Sequence, residues 1–436
     1  MSPRTAELDH LDVEPVHPER AAAPPSPRVL PLILLLGALT ALGPLTIDLY
    51  LPAFPAITDD LLTTEAAVQL TLTGTLIGMA LGQVLIGPLS DAIGRRRPLL
   101  GGAAAYVLAS AACAIAPNVT ALGALRVLQG MAAAAGSVIA MAVIRDHFAG
   151  LRGVQMLSRL MLVMGVAPVL APTLGGFILT LTDWRGVFWL LSGIGAVLTV
   201  VVIVGMRETL PVERRIPLGL RATLRTYATL LRDRSLVGLV LTGGLVMAGL
   251  FSYIAGSSFV LQGVYGLSPQ QYGVLFGLNS VGLIAATQLN ARLVGRFEPQ
   301  HILTVALAIA AAAAAVLVLG AALPDVGVLG IVVPLFVLLS MVGLSLPNVA
   351  GLALVSHGES AGTTAALLGA TNFGVGAISA PIVGQLGTAT AVPMAAVMLV
   401  SAILALLAFV LVARPRRMPA FERDAVVAHA GAAAGE

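Results

Sequence analysis

Asp48 stands in the stretch TIDLYLPAFPAI, residues 46–57, at the close of the first long apolar run of the chain. A carboxylate at membrane depth costs several kcal/mol, so it needs a partner or a task. The task open to a lone buried carboxyl is to take up and release a proton. Arg126, in RVLQG at 126–130, is a second ionisable residue inside an apolar run. A guanidinium at the same depth would relieve the desolvation of both groups. Gln129 follows Arg126 by three residues and so shares its helix face, where it either hydrogen-bonds a ligand or braces the arginine. Tyr50, two residues past Asp48 and roughly 200° around a helix, is expected to pack against a neighbour.

Other chemistries lack their residues. None of the histidines at 10, 17, 147, 301, 357 and 429 falls mid-span, which argues against a histidine relay or a histidine-held metal inside the membrane. No GxxxxGK loop is present to cradle nucleotide phosphates, and no nucleophile–base arrangement stands out. An enzyme is not expected, nor a nucleic-acid partner or a cofactor. The single cysteine, Cys113, lies in an apolar run and reads as a small packing residue.

The elements that must position these groups are membrane helices. Hydrophobic residues make up 58% of the chain and charged residues only 10%, against about 25% charged in soluble domains. Apolar runs of roughly 20 residues, enough to cross a bilayer, fall near 29–51, 67–90, 98–116, 119–144, 155–180 and 186–206. A second set follows near 236–262, 270–293, 301–322, 328–352, 361–387 and 391–413. The expected organisation is an N-terminal tail at 1–28, a six-helix bundle at 29–206, a basic linker at 207–235, a second bundle at 236–413 and a tail at 414–436.

Arginine placement tests this count. With the N-terminus in the cytoplasm, the inner segments hold Arg28, Arg95 to Arg97, Arg145, Arg152, Arg159, seven arginines from Arg207 to Arg234, Arg292, Arg296 and the arginines of 414–417. The outer loops hold Arg185 alone, beside acidic residues such as Asp59, Asp60 and Asp183. That asymmetry fits the positive-inside rule with both termini cytoplasmic. In this arrangement Asp48 in the outward-running first span and Arg126 in the inward-running fourth lie at about the same level, roughly 10 Å or less from the outer boundary. DAIGRR at 91–96 and RLVGRF at 292–297 follow the second and eighth spans, a degenerate echo that supports internal duplication.

The stretch GPLSDAIGRRRP at 87–98 resembles the signature loop of the major facilitator superfamily. RVLQG, GVAPVLAPTLGG at 165–176, IRDHF at 144–148, WRGVFW at 184–189, RETLP at 207–211 and AGTTAALLGA at 361–370 follow in family order. Together with TIDLYLPAFP they are similar to the Bcr/CflA subgroup of twelve-span drug:proton antiporters. The resemblance implies an all-α integral membrane fold, twelve helices in two six-helix bundles, working as a monomer in the cell membrane on small-molecule substrates, protons and lipids. It implies an exporter of small amphipathic drugs driven by the proton gradient. A metabolite exporter or an uptake symporter on the same fold is the alternative, since fold does not fix substrate.

By the same resemblance Asp91, Arg95 and Asp146 form a cytoplasmic charge cluster that latches the outward-open state and breaks on the inward swing. Asp48 and Arg126 are the expected proton-coupling pair, protonation of Asp48 releasing the arginine. Related exporters often carry a second acidic residue eight positions earlier, where this chain has Thr40; a second proton site there is not expected. Pro168 and Pro172 each remove a backbone hydrogen bond, and Gly165, Gly175 and Gly176 permit close approach, so the fifth span is expected to seal one half against the other. In the second half Asn279 and Asn348, mid-span and uncharged, are candidate cavity residues, with Tyr253 and Phe259 as an aromatic wall.

Overall fold

A computed structural model describes residues 29–148, 150–215, 220–323, 326–357 and 361–415. The expected tail at 1–28 and most of that at 414–436 lie outside the described residues. So do the side chains of Arg152 and Arg159 and the surroundings of Gly165.

Each of the twelve expected spans is a helix. The first block holds α1 (Val29–Asp48), a short α2 (Phe54–Asp60), α3 (Glu65–Ile93), α4 (Arg96–Ala114), α5 (Val119–His147), α6 (Gly150–Ile178) and α7 (Trp184–Gly205). After α8 (Leu220–Leu230), which lies in the basic linker, come α9 (Arg234–Ser258), α10 (Pro269–Leu293), α11 (Pro299–Ala322), α12 (Leu329–Ser356), α13 (Ala361–Leu386) and α14 (Val392–Leu407). Eleven segments are long and apolar enough to span a membrane, and Val166–Ile178 gives α6 a shorter apolar stretch. Several starts are set by capping side chains: Thr64, Asn118, Asp183 and Asp233 accept backbone N–H groups, and Ser268 forms a full capping box with Gln271. Each such cap contributes about 1 kcal/mol.

Within the first block α3 and α4 pack on α5, α4 on α7, and α1 on α5 and α6. Gly74, Gly78 and Gly82 lie against the α5 backbone, the packing face that their four-residue spacing suggests. In the second block α9 packs on α13 and α14, and α11 and α10 on α12. Two helix pairs join the blocks, α3 with α13 and α6 with α10. The site lies between those two seams.

Candidate functional site

The first span differs from expectation in its outer third. Pro52 and Pro55 lack the N–H groups that would continue the helix, so α1 stops at Asp48 and the chain turns through a 3-10 segment, Leu51–Ala53, into α2. The spanning stretch runs from Pro31 to Asp60 and not to residue 51. Asp48 is therefore a helix-end residue deep within the span, with α2 still ahead of it.

Asp48 is only 4% exposed, lines the central cavity, and among the described residues makes no hydrogen bond or ion pair. The expected pair with Arg126 is not formed. Arg126, wholly buried, donates through Nη2 to the Thr46 carbonyl at 2.9 Å and through Nη1 to Gln129 Oε1 at 2.7 Å. Its guanidinium lies 4.0 Å over the Tyr50 ring. The physical reason is the end of α1: carbonyls in a last turn lack helical partners and carry about half a negative charge, and the guanidinium caps them. Two hydrogen bonds to a charged group, ~1.5–3 kcal/mol each, and a desolvated cation–π contact of about 2 together rival the several kcal/mol an ion loses on burial. Arg126 is held without a carboxylate.

Gln129 braces the arginine and does not reach the cavity: its Nε2 donates to Ser110 Oγ at 2.8 Å. Tyr50 is packed as expected, against Phe54, Phe188 and Arg126. Thr46 Oγ1 and the Tyr106 hydroxyl, 2.8 Å apart, extend the same polar cluster.

The cavity, about 290 Å³, lies between the bundles. Tyr253 and Asn279 line it as expected, Asn279 Nδ2 donating to the Tyr253 hydroxyl at 3.0 Å. Tyr253 stacks on Phe276, centroids 5.1 Å apart. Two expected wall residues are elsewhere. Asn348 faces the core of the second bundle, where Nδ2 donates to Asn290 Oδ1 at 2.6 Å, a partner that sequence spacing does not reveal. Phe259 opens a π-helical turn at the end of α9 and packs on Phe54, 5.5 Å between centroids. Residues that sequence reasoning missed include Gln83, a polar residue amid apolar α3, and Met79, Met141 and Met247, side chains that adapt to varied apolar shapes. Thr40 lines the wall with its hydroxyl turned to the Leu36 carbonyl at 2.7 Å.

At the Leu51 end the bundles are joined by polar contacts on backbone carbonyls, two of which prolines have freed. Pro172 cannot donate to the Pro168 carbonyl, and Ser280 Oγ of α10 does so at 3.3 Å. Pro55 cannot donate to Leu51; its carbonyl takes a 3-10 bond from Phe54 and a second bond from Ser258 Oγ of α9 at 2.7 Å. Gln262 Nε2 donates to the Pro52 carbonyl at 3.3 Å. Thr173 Oγ1 and Gln270 Nε2 reach the carbonyls of Gly273 and Gly176 at 3.1 Å each. A Cβ on Gly176 would lie 2.6 Å from the Pro269 carbonyl oxygen, and one on Gly175 2.0 Å from that of Leu49. These two positions admit only glycine without moving backbone.

At the arginine-rich end, Arg95 does gather Asp91 and Asp146. Its Nη1 pairs with Asp91 and donates to Ser90 Oγ at 2.8 Å, and its Nε donates to Asp146 Oδ2 at 3.0 Å. All these partners belong to the first bundle. The sequence reading missed Glu208 and Thr209, just past α7. Glu208 accepts the Arg95 and Arg96 N–H groups at 2.7 and 3.2 Å, capping α4, and Thr209 Oγ1 donates to Asp146 at 3.2 Å. Gly94 makes room for this, with φ +93° and the Glu208 carboxylate where a Cβ would stand. Burial would raise the Glu208 carboxyl, but backbone donors from Leu210, Arg95, Arg96 and Thr209 outweigh it and hold it below its ordinary value of 4.5.

A group depressed on folding stabilises the protein above its unfolded value and stops doing so as pH falls through its folded one. Glu208→Gln should therefore lower the melting temperature at pH 7 by a few degrees, and the gap to wild type should close below about pH 4.5. A gap that stays constant from pH 7 to 3.5, by thermal scanning in detergent, would contradict this clasp.

A cavity between two six-helix bundles, a lone carboxyl in its wall and a carbonyl-bridged seal at one end are features of a solute path. The family model described as Major Facilitator Superfamily matches residues 36–379. The chain is 41% identical over 382 residues to YdgK, an uncharacterized MFS-type transporter of Bacillus subtilis, with 87% of this chain and 94% of the relative covered. It is 33% identical over 377 residues to a bicyclomycin resistance protein homolog of Haemophilus influenzae, covering 86% and 94%. The solved structure of the xylose transporter XylE from E. coli, at 13% identity, superposes with a TM-score of 0.72 over 91% of this chain and 99% of that one, a likeness of fold. With four fifths of its length matched by the family model and both bundles shared with a solved member, this multi-pass membrane protein belongs to the major facilitator superfamily of transporters.

Proposed function

We propose that the chain is a proton-coupled antiporter that exports small amphipathic drug-like molecules across the cell membrane by alternating access. The observation that carries the proposal is Asp48, a nearly buried carboxyl without a partner and, among the described residues, the one ionisable acid in the wall of a mostly apolar cavity. A relative named for bicyclomycin resistance, aligned over most of both chains, supports the substrate class. The arginine asymmetry supports cytoplasmic termini, which makes the Leu51 end the outer one and this conformation closed to the outside. On that orientation Asp91, Arg95, Asp146, Glu208 and Thr209 act as a brace that keeps the inner end of the first bundle rigid as the bundles rock.

One proton moving inward down 100 mV supplies about 2.3 kcal/mol, enough for roughly 50-fold accumulation of a neutral substrate. Gly165, Pro168 and Pro172 fall in the motif associated with antiport, which favours export over uptake symport. The test is a pH-gradient assay in energised inverted vesicles, acidic inside. Adding a transported antibiotic should release protons and dequench an acridine dye within seconds. If a broad panel of antibiotics and dyes leaves the signal flat while a metabolite triggers it, the drug reading fails.

A further inference from the structure

Most polar atoms in the cavity wall are already satisfied. Thr40 and Ser137 donate to carbonyls of their own helices, and Ser280 to Pro168 and Phe276. The Tyr253 hydroxyl accepts from Asn279 Nδ2 at 3.0 Å, and Ser257 Oγ pairs instead with the Tyr272 hydroxyl at 3.1 Å. That leaves Asn279 Oδ1, in a side chain only 1% exposed, without a partner. Asp48, 4% exposed and also unpartnered, lines the same cavity from the first bundle. Two buried acceptors, one from each bundle, are thus left without a donor in a mostly apolar wall, the amide of Gln83 being, among the described residues, the further unpaired polar group and only partly buried. A buried acceptor left unmade costs free energy that a ligand donor recovers.

We propose that Asp48 and Asn279 Oδ1 form a two-acceptor clamp that selects amphipathic ligands carrying two N–H or O–H donors, Asn279 being the specificity-determining residue on the second bundle. The inference deepens the exporter reading and rests on it for the identity of the cavity. A ligand so held bridges the bundles, so its binding favours the conformation in which both acceptors face it. An analogue without donors fills the apolar walls and leaves both acceptors unmade, which is how hydrogen-bonding sites discriminate.

Ethidium and tetraphenylphosphonium provide the test. Both are apolar monocations; ethidium carries two primary amines at opposite ends of one ring system and tetraphenylphosphonium carries no donor. Equilibrium binding to purified wild type, Asn279→Leu and Tyr253→Phe is measured in detergent, with folding checked by size-exclusion chromatography. Asn279→Leu should weaken ethidium about 10-fold and change tetraphenylphosphonium less than 2-fold. Tyr253→Phe keeps Oδ1 and should leave the preference for ethidium intact. Equal losses for both probes in both variants would assign Asn279 to bracing Tyr253 and overturn the clamp, as would failure of wild type to bind ethidium. Vesicle proton release is read separately: selective binding without proton release would retain the clamp and defeat the antiport reading.

Discussion

Asp48→Asn should abolish substrate-triggered proton release, bringing the dye signal in inverted vesicles to the level of empty vesicles, while the variant still folds and still binds ligand. The argument starts from the helix end. Pro52 and Pro55 stop α1 at Asp48, so the carboxyl stands where helix carbonyls already supply negative potential, in a wall with no cation within ion-pair distance. An ionised carboxylate without a partner in low-dielectric surroundings is costly, and the neutral acid is not. Binding a cation or a donor there favours the ionised form; losing the ligand favours the proton. Proton and ligand therefore compete for one group, and that competition is the coupling.

It carries a second readout. Ethidium binding to wild type should weaken as pH falls from 8 to 5, whereas Asp48→Asn, which keeps an acceptor but cannot titrate, should bind with an affinity that is flat over that range. Asp48→Glu keeps the titration and should retain measurable proton release at a reduced rate, the carboxyl being displaced by one methylene. If Asp48→Asn releases protons at the wild-type rate, the proton travels by another group and the mechanism falls. If wild-type binding is itself independent of pH, the two ligands do not share the site.

The membrane class, the twelve helices and the two bundles are legible in the sequence because hydropathy, span length and arginine placement are additive signals, each read without knowing the packing. Asp48 is legible for the same reason: an acid in an apolar run is conspicuous wherever it points. Its partner is not. Whether Arg126 meets Asp48 depends on where α1 ends, and the prolines that end it, Pro52 and Pro55, are visible in TIDLYLPAFPAI but matter only once the freed carbonyls are counted. Asn348 shows the other limit. Mid-span placement gives depth and leaves rotation about the helix axis open, and Asn348 is turned to Asn290 in the bundle core while Asn279 is turned to the cavity. Glu208 was legible only as part of RETLP; its role needs the segment after α7 to fold back on the turn between α3 and α4.

The capping role of Arg126 predicts a pattern of coupling that differs from that of an ion pair. Arg126→Met removes a charge held by the Thr46 carbonyl, Gln129 Oε1 and the Tyr50 ring, and leaves two buried acceptors unmade, at ~1–3 kcal/mol for each. A destabilisation of about 2–5 kcal/mol is expected from this loss. Arg126→Lys should recover only part of it, because an ammonium is a point charge that cannot reach two acceptors on different helices and stack on Tyr50 together. Double-mutant cycles on detergent-solubilised protein separate the two accounts. Arg126 and Gln129 share a hydrogen bond of 2.7 Å and should couple by about 1.5–3 kcal/mol. Arg126 and Asp48, which share none, should couple by less than about 1 kcal/mol. The reverse order, strong coupling to Asp48 and little to Gln129, would restore the ion pair and make release of the arginine, not occupancy of the cavity, the event that links proton to substrate. With the predicted order, Arg126 fixes the end of α1 and so sets where the Asp48 carboxyl stands, a positioning residue that never exchanges the proton itself.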